Sequence, residues 1–289
     1  ADQDLPPYNP NVEAFTTGKI SRYSPVYLIF NQEIPADRLK ADRLGKLVRL
    51  KPDVPGKWAF ENNRTLVFKP EKGFERNTSY QVKADLSEWF EAQGKDKWFA
   101  FGFTTLPLAL RGNLESMDIN KKNENGYDLT AVLFTPDKES PETVESLVDF
   151  SEKVDATWQH SPDGKKHEVT LLNVSAGMEG ERTLKLSVSS YNKLGVEKAD
   201  VVTVSVPDQN DFSVYDVTYV SEPERYVEVA FTKLLDASQD MRGLAFIAEN
   251  TSETVTVDGN KLRLYPDADL WQKGVMNIHL NQGIRSKSG

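Results

Sequence analysis

"VYLIFNQEI", residues 26–34, alternates apolar and polar positions and then meets Pro35, so it reads as a half-buried β-strand that stops at a turn. Two later stretches repeat the pattern, "LTAVLFTPDKESPETV" at 129–144 and "VEVAFTKLLDASQDM" at 227–241. Each strand closes on Phe followed by Asn or Thr, at Phe30, Phe134 and Phe231. These positions lie about 100 residues apart, a period too long for a solenoid and right for a whole β-sandwich.

Working outward, each copy continues in the same order. A short helix is expected after the Phe: Pro35 before "ADRLKADRL", Ser140-Pro141 before "ETVESLV", and Asp236 before "ASQDMRGL", where Ser or Asp can cap and Pro suits the first helical turn. Next come a strand and a hairpin whose turns are "ENNR", "SPDG" and "VDGN". Alternating strands "TSYQVKADL", "RTLKLSVSSY" and "GVMNIHLNQGI" follow. The first two copies then close on "KWFAFGFTTLP" and "ADVVTVSVP", which run into Pro107 and Pro207. The expected organisation is therefore three sandwiches, at 1–107 with an extended N-terminal segment, 108–207, and 208–289. The third copy stops where its closing strand is due, so it is expected to lack that strand and the chain to be a fragment of a longer protein.

Hydrophobic residues make up 38% of the 289 residues and charged residues 27%, which fits folded domains. No stretch approaches the ~20 apolar residues of a membrane-spanning helix. The net charge is -9 with cations scattered singly, so a nucleic-acid partner is not expected. The absence of cysteine removes disulfides, thiolate catalysis and any internal thioester.

Residues 15–106 resemble the bacterial Ig-like domains of S-layer proteins and of large cell-envelope proteins. The likeness is carried by "GKISRYSPVYLIFNQEIP", "GKWAFENNRTLVFKP", "GFERNTSYQVKADL" and "FAFGFTT". The third copy shares it through "VEVAFTKLLD", "NKLRLYPDADL" and "NIHLNQGI". Tandem units of this kind behind the Pro-rich "DLPPYNP" are similar to the leading segment of Bacteroidetes alpha-2-macroglobulin-like lipoproteins, which look like protease traps. The resemblance implies an extracytoplasmic envelope location, macroglobulin-type domains of the same polypeptide as partner, and a lipid anchor outside this chain as the link to the membrane. It carries over no functional residue, because neither a thioester pair nor a bait segment is present.

Candidate chemistry is sparse. His160 and His167 flank the "SPDG" turn and can face each other, but no third metal ligand is signalled and the pair is expected to be solvated. His279 alternates with apolar neighbours and is expected to face solvent. Asp236, Asp240, Asp258, Asp267 and Asp269 are the hard oxygen ligands Ca²⁺ takes, yet Asp236 reads as a helix cap, Asp258-Gly259 as a hairpin turn and "PDADLW" as a loop, and their order does not match a Ca²⁺-binding loop. Trp58 and Trp158 precede equivalent hairpins and read as core. Trp89, Phe90 and Trp271, at unit ends, are the candidate contact surface. Tyr80 reads as a corner tyrosine tied to nearby backbone.

The expectation is thus an all-β tandem of Ig-like sandwiches with short helical insertions, not an enzyme, without metal or cofactor. Its expected role is a spacer and docking arm of an alpha-2-macroglobulin-like protease inhibitor. The alternative is an envelope module that binds glycan or a surface protein, which requires exposed, co-facing aromatic rings.

Overall fold

The computed structural model describes residues 8–188, 199–251 and 254–289. The first unit carries β1 (Val12–Phe15), β2 (Gly18–Ile20), β3 (Val26–Phe30), β4 (Val48–Lys51), β5 (Gly56–Asn62), β6 (Thr65–Pro70), β7 (Ser79–Asp85) and β8 (Trp98–Thr105). They form two facing sheets, ordered β1-β3-β6-β5 and β2-β8-β7-β4. The second unit has β9 (Arg111–Asn120), β10 (Asn123–Phe134), β11 (Val148–Phe150), β12 (Asp155–His160), β13 (Lys166–Ser175), β14 (Arg182–Val188) and β15 (Ala199–Val206). Its sheets run β12-β13-β10-β9 and β11-β14-β15. The third has β16 (Val214–Val220), β17 (Tyr226–Phe231), β18 (Ala245–Ile247), β19 (Val255–Asp258), β20 (Lys261–Leu264) and β21 (Ile278–Leu280), in sheets β16-β17-β20-β19 and β18-β21. The protein is an all-β tandem of Ig-like sandwiches with short helical insertions, each with its own apolar cluster. The stretch 1–7, which opens the Pro-rich leader, lies outside the described residues.

The strand that decided the reading behaves as its alternation requires: Val26, Leu28 and Phe30 point inward and are fully buried. Two backbone hydrogen bonds then fix where the strand ends. Phe30 N–H donates to the Arg64 carbonyl and Ile34 N–H to the Asn63 carbonyl, tying the strand end to the hairpin turn. The third unit repeats both bonds, Phe231 to Asn260 and Leu235 to Gly259. In the second unit the same two donors are Thr135, to Lys165, and Glu139, to Gly164.

This corrects the sequence alignment by one residue. Thr135, not Phe134, is the counterpart of Phe30 and Phe231. Strand pairing agrees, since His167 lies opposite Leu133 as Leu66 lies opposite Leu28 and Leu262 opposite Val229. A one-residue offset turns a side chain to the other face of a sheet. Phe134 is accordingly 46% exposed, whereas Phe30 and Phe231 are buried.

The helical insertions differ more than their sequences suggest. Ser140 caps Pro141–Leu147 as expected, its Oγ accepting from Thr143 N–H at 3.2 Å. In the first unit the helix breaks into two 3-10 turns and one α-turn, Leu44–Leu47, none with a side-chain cap. In the third, Asp236 accepts from Ser238 N–H and Oγ in a local turn, and residues 237–244 form turns instead of a helix. The helix of that unit lies instead in the supposed loop, at Ala268–Lys273, between Asp267 and Gly274 at φ 72°. Tyr80 is a corner tyrosine, its Oη accepting from Glu75 N–H at 3.0 Å.

In the first unit β7 has a partner on both sides, β4 and β8. Its counterpart β21 pairs with β18 alone among the described residues. Edge strands open more readily than interior ones. Amides of 278–280 are therefore expected to exchange at least about tenfold faster than those of 80–84; equal protection measured by hydrogen exchange would contradict the assigned edge.

Candidate functional site

The offset in the second unit places polar groups where its two sister units are apolar. Phe30 and Phe231 are replaced by Thr135, Ile34 and Leu235 by Glu139, and Leu66 and Leu262 by His167. His160 sits opposite His167, as Phe60 sits opposite Leu66 and Val257 opposite Leu262. Four polar residues thus occupy one end of a sandwich core, and all four face the first unit's boundary or support groups that do.

Glu139 and its neighbour Asp137 make the contact itself. The Glu139 side chain is 2% exposed and receives the Arg76 guanidinium through two hydrogen bonds, one from Nε to Oε1 at 3.0 Å. This pairing raises the Arg76 pKa above its usual value. Asp137 accepts from Ser21 Oγ at 2.7 Å and from Arg22 N–H at 2.8 Å, reaching the first unit just past β2. The boundary at 107 is therefore not a slack linker: a bidentate ion pair and a bidentate carboxylate close it. Breaking a buried pair from one side strands the other charge. Arg76→Ala is expected to destabilise the protein by about 3–5 kcal/mol. Adding Glu139→Leu, the residue type found at 34 and 235, should restore most of that loss in denaturant unfolding, because no buried charge then remains.

Behind this contact the histidines form a chain. Glu145 Oε1 lies 3.0 Å from His160 Nε2, His160 Nδ1 lies 2.9 Å from His167 Nδ1, and His167 Nε2 lies 3.3 Å from Thr135 Oγ1. Thr135 Oγ1 also donates to the Asp137 carbonyl at 2.8 Å, beneath the carboxylate that grips the first unit. The expectation of solvated histidines is corrected: His167 is fully buried and His160 stacks on Trp158, with rings 4° from parallel. No group of three or more metal-ligating side chains with suitable geometry occurs among the described residues. The arrangement links the solvent-facing Glu145 to the buried hydroxyl by three hydrogen bonds whose directions follow the tautomers of the two rings.

Burial, and next the neighbouring His160, push the His167 pKa below its usual value, while Asp163 opposes them. The folded state therefore prefers His167 neutral, and stability present above the unfolded pKa of ~6.5 is lost as pH falls below it. Thermal stability should drop between about pH 7 and 5, with a slope of at most about 1.4 kcal/mol per pH unit from this proton. His167→Leu, which copies positions 66 and 262, should flatten that part of the profile; an unchanged slope would assign the pH dependence to other groups.

The second boundary is closed in a different way. Tyr127 Oη donates to the Thr232 carbonyl at 2.8 Å, and Tyr215 Oη to the Met117 carbonyl. Burial pushes both phenols up to about 12, so they remain neutral donors. Lys261 bridges Asp118 and Glu228 at 3.2 and 3.1 Å. Pro207 is held in place, its carbonyl accepting from Gly177 N–H.

The aromatic residues expected at a contact surface are placed otherwise. Trp89 and Phe90 are buried in the first core, packed on Phe30 with ring centroids 5.5 and 5.3 Å away, so they are not available to a partner. Their exposed sequence neighbours, and their position past a strand end, hid this in the sequence. Trp271 is half-buried on the third core and meets Tyr219 edge-on at 6.1 Å. Trp98 is exposed, with Lys83 4.5 Å above its ring. His279 is exposed as expected and stacks on Phe246. Four of the five third-unit carboxylates are engaged locally: Asp236 with Arg285, Asp240 with Arg242, Asp258 with Arg263, and Asp267 with Thr251.

Beside Thr135 the boundary of the first two units opens into a cleft of about 440 Å3. Leu106, Pro107, Phe134 and Pro136 line it together with Lys19 and Arg111. A depression of about 310 Å3 along 152–155 and 172–175 is more polar.

No protein-family profile and no curated protein matches the chain. Among solved structures it matches L,D-transpeptidase 3 from Mycobacterium tuberculosis at 11% identity and TM-score 0.26, over 63% of this chain and 79% of that one. It matches an LD transpeptidase in complex with imipenem at 10% identity and TM-score 0.26, over 93% and 96% of the two chains. It also matches extracellular cadherin domains 1–4 of protocadherin gamma B7 at 12% identity and TM-score 0.21, over 87% and 66%. Against the expectation that the chain is not an enzyme, the transpeptidases among these neighbours are enzymes. At such TM-scores their reaction is not transferred to this chain, and the expectation of inactivity is withdrawn.

Proposed function

We propose that the chain is a stiff arm of an extracytoplasmic envelope protein, a spacer and docking segment of a larger alpha-2-macroglobulin-like protease inhibitor. The observation that carries this reading is the closure of both boundaries by specific polar contacts, Arg76–Glu139 at the first and Tyr127–Thr232 at the second. Independent modules on a flexible string have no use for a buried ion pair at their seam, whereas an arm that must hold a distance does. The stretches that resemble Ig-like domains of envelope proteins agree with this reading. The partner on this reading is the macroglobulin-type portion of the same polypeptide. The glycan-binding alternative is less well supported, since the exposed Trp98 is covered by Lys83 and Trp271 meets Tyr219 edge-on rather than coplanar.

Because the sequence contains no cysteine, spin labels can be placed without background. With Lys57→Cys and Gln272→Cys, both exposed, pulsed electron–electron distance measurements should give one narrow distribution. A broad distribution in the otherwise unaltered protein would overturn the arm reading. Arg76→Ala should broaden it.

A further inference from the structure

The cleft between the first two units has a chemistry that neither the sandwich cores nor the arm reading requires. Its walls are apolar: Leu106 and Pro107 come from the end of the first unit, Phe134 and Pro136 from the end of β10. Phe134 stands 46% exposed there, on a strand whose inward residues are fully covered. Two cations share the lining, Lys19 on β2 and Arg111 at the start of β9, directly opposite Phe134 in the strand register. Neither has a carboxylate or other side-chain partner among the described residues, on a protein of net charge -9. An exposed aromatic ring beside two unpaired cations in a concave junction is the composition of a ligand site, and about 440 Å3 falls within the ~300–1,000 Å3 of small-molecule sites.

We propose that this cleft binds a small ligand made of an apolar body and one carboxylate, with Arg111 and Lys19 holding the carboxylate and Phe134, Leu106 and the two prolines holding the body. The anion is a carboxylate rather than a phosphate for a geometric reason. Phosphate sites draw on several backbone N–H groups, as at helix N-termini and glycine-rich loops. Pro107 and Pro136 have no N–H to give, and the Thr135 hydroxyl in the same wall is already bonded to Asp137 and His167. Two side-chain cations remain, and the guanidinium fork matches the two oxygens of one carboxylate. The chemistry is shared by a peptide's C-terminal residue and by a free aryl or alkyl acid. The inference does not depend on the arm reading, since it concerns a local cleft whatever the chain supports.

Titration calorimetry on the full chain can test it with four probes: N-acetyl-Leu-Phe, its C-terminal amide, 3-phenylpropionate and 3-phenylpropyl phosphate. At least one of the two acids should bind saturably below about 10 mM, and the amide at least about tenfold more weakly than the parent peptide. If N-acetyl-Leu-Phe is the tighter of the acids the source is a peptide terminus; if 3-phenylpropionate is tighter it is a free acid. Arg111→Gln with Lys19→Gln, both at exposed positions, should weaken the acid about tenfold or more, while Lys95→Gln on another surface should leave it unchanged. The proposal is overturned if neither acid binds, if acid and amide bind alike, if the phosphate binds tighter than both acids, or if the double variant binds as well as the parent.

Discussion

Everything distinctive in this molecule follows from a pair of backbone hydrogen bonds that tie the end of one strand to the turn of the next hairpin. They join Phe30 to Arg64 and Ile34 to Asn63 in the first sandwich, and recur in both others. Because they set which residue ends the strand facing inward, they decide what a given position means. The first and third units fill the inward positions with Phe, Ile or Leu. The second fills them with Thr135 and Glu139, and a fold that elsewhere encloses hydrocarbon there encloses a polar network. A buried carboxylate requires a partner, and Arg76 from the neighbouring unit supplies one. The polar end of the second core and the ion pair that closes the first seam are thus a single feature.

Much of the scaffold was legible from alternation and turn chemistry alone. The hairpins at "ENNR", "SPDG" and "VDGN" form between the strands assigned to them, Ser140 caps its helix, and Tyr80 ties back to Glu75. These are local signals, and local geometry honours them. The errors arose where one residue of phase or a distant partner mattered. Phe134 looks identical to Phe30 in sequence, and only the hydrogen bond from Thr135 to Lys165 shows that it has rotated to the outer face. The helix at Ala268–Lys273 carries a local signal, Asp267 before it and Gly274 after it, inside the stretch "PDADLW" that reads as a loop.

The site was less legible than the scaffold. His160 and His167 are recognisable as a facing pair across a turn, but Glu145 belongs to a helix and Thr135 lies just past the end of another strand, and nothing in spacing predicts their meeting. Trp89 and Phe90 looked like surface residues because they follow a strand end among Ser, Glu and Gln. The chain folds back there, placing both rings on Phe30. Long-range closure of this kind is a property of the assembled core and leaves no periodic trace.

The contact between two Nδ1 atoms in the histidine pair has a logical consequence. One ring must give a proton and the other must accept it, so the bonds from His160 through His167 to Thr135 share one direction at a time. With both rings neutral, the order that satisfies Glu145 has Thr135 giving to His167, His167 giving to His160, and His160 giving to the carboxylate. One more proton on His160 leaves its bond to Glu145 as it was and reverses the two inner ones: His160 gives to His167, His167 gives to Thr135, and the hydroxyl turns wholly to the Asp137 carbonyl. A proton taken up near the surface is in this way written as the heading of a hydroxyl at the seam, directly beneath the carboxylate that holds the neighbouring domain.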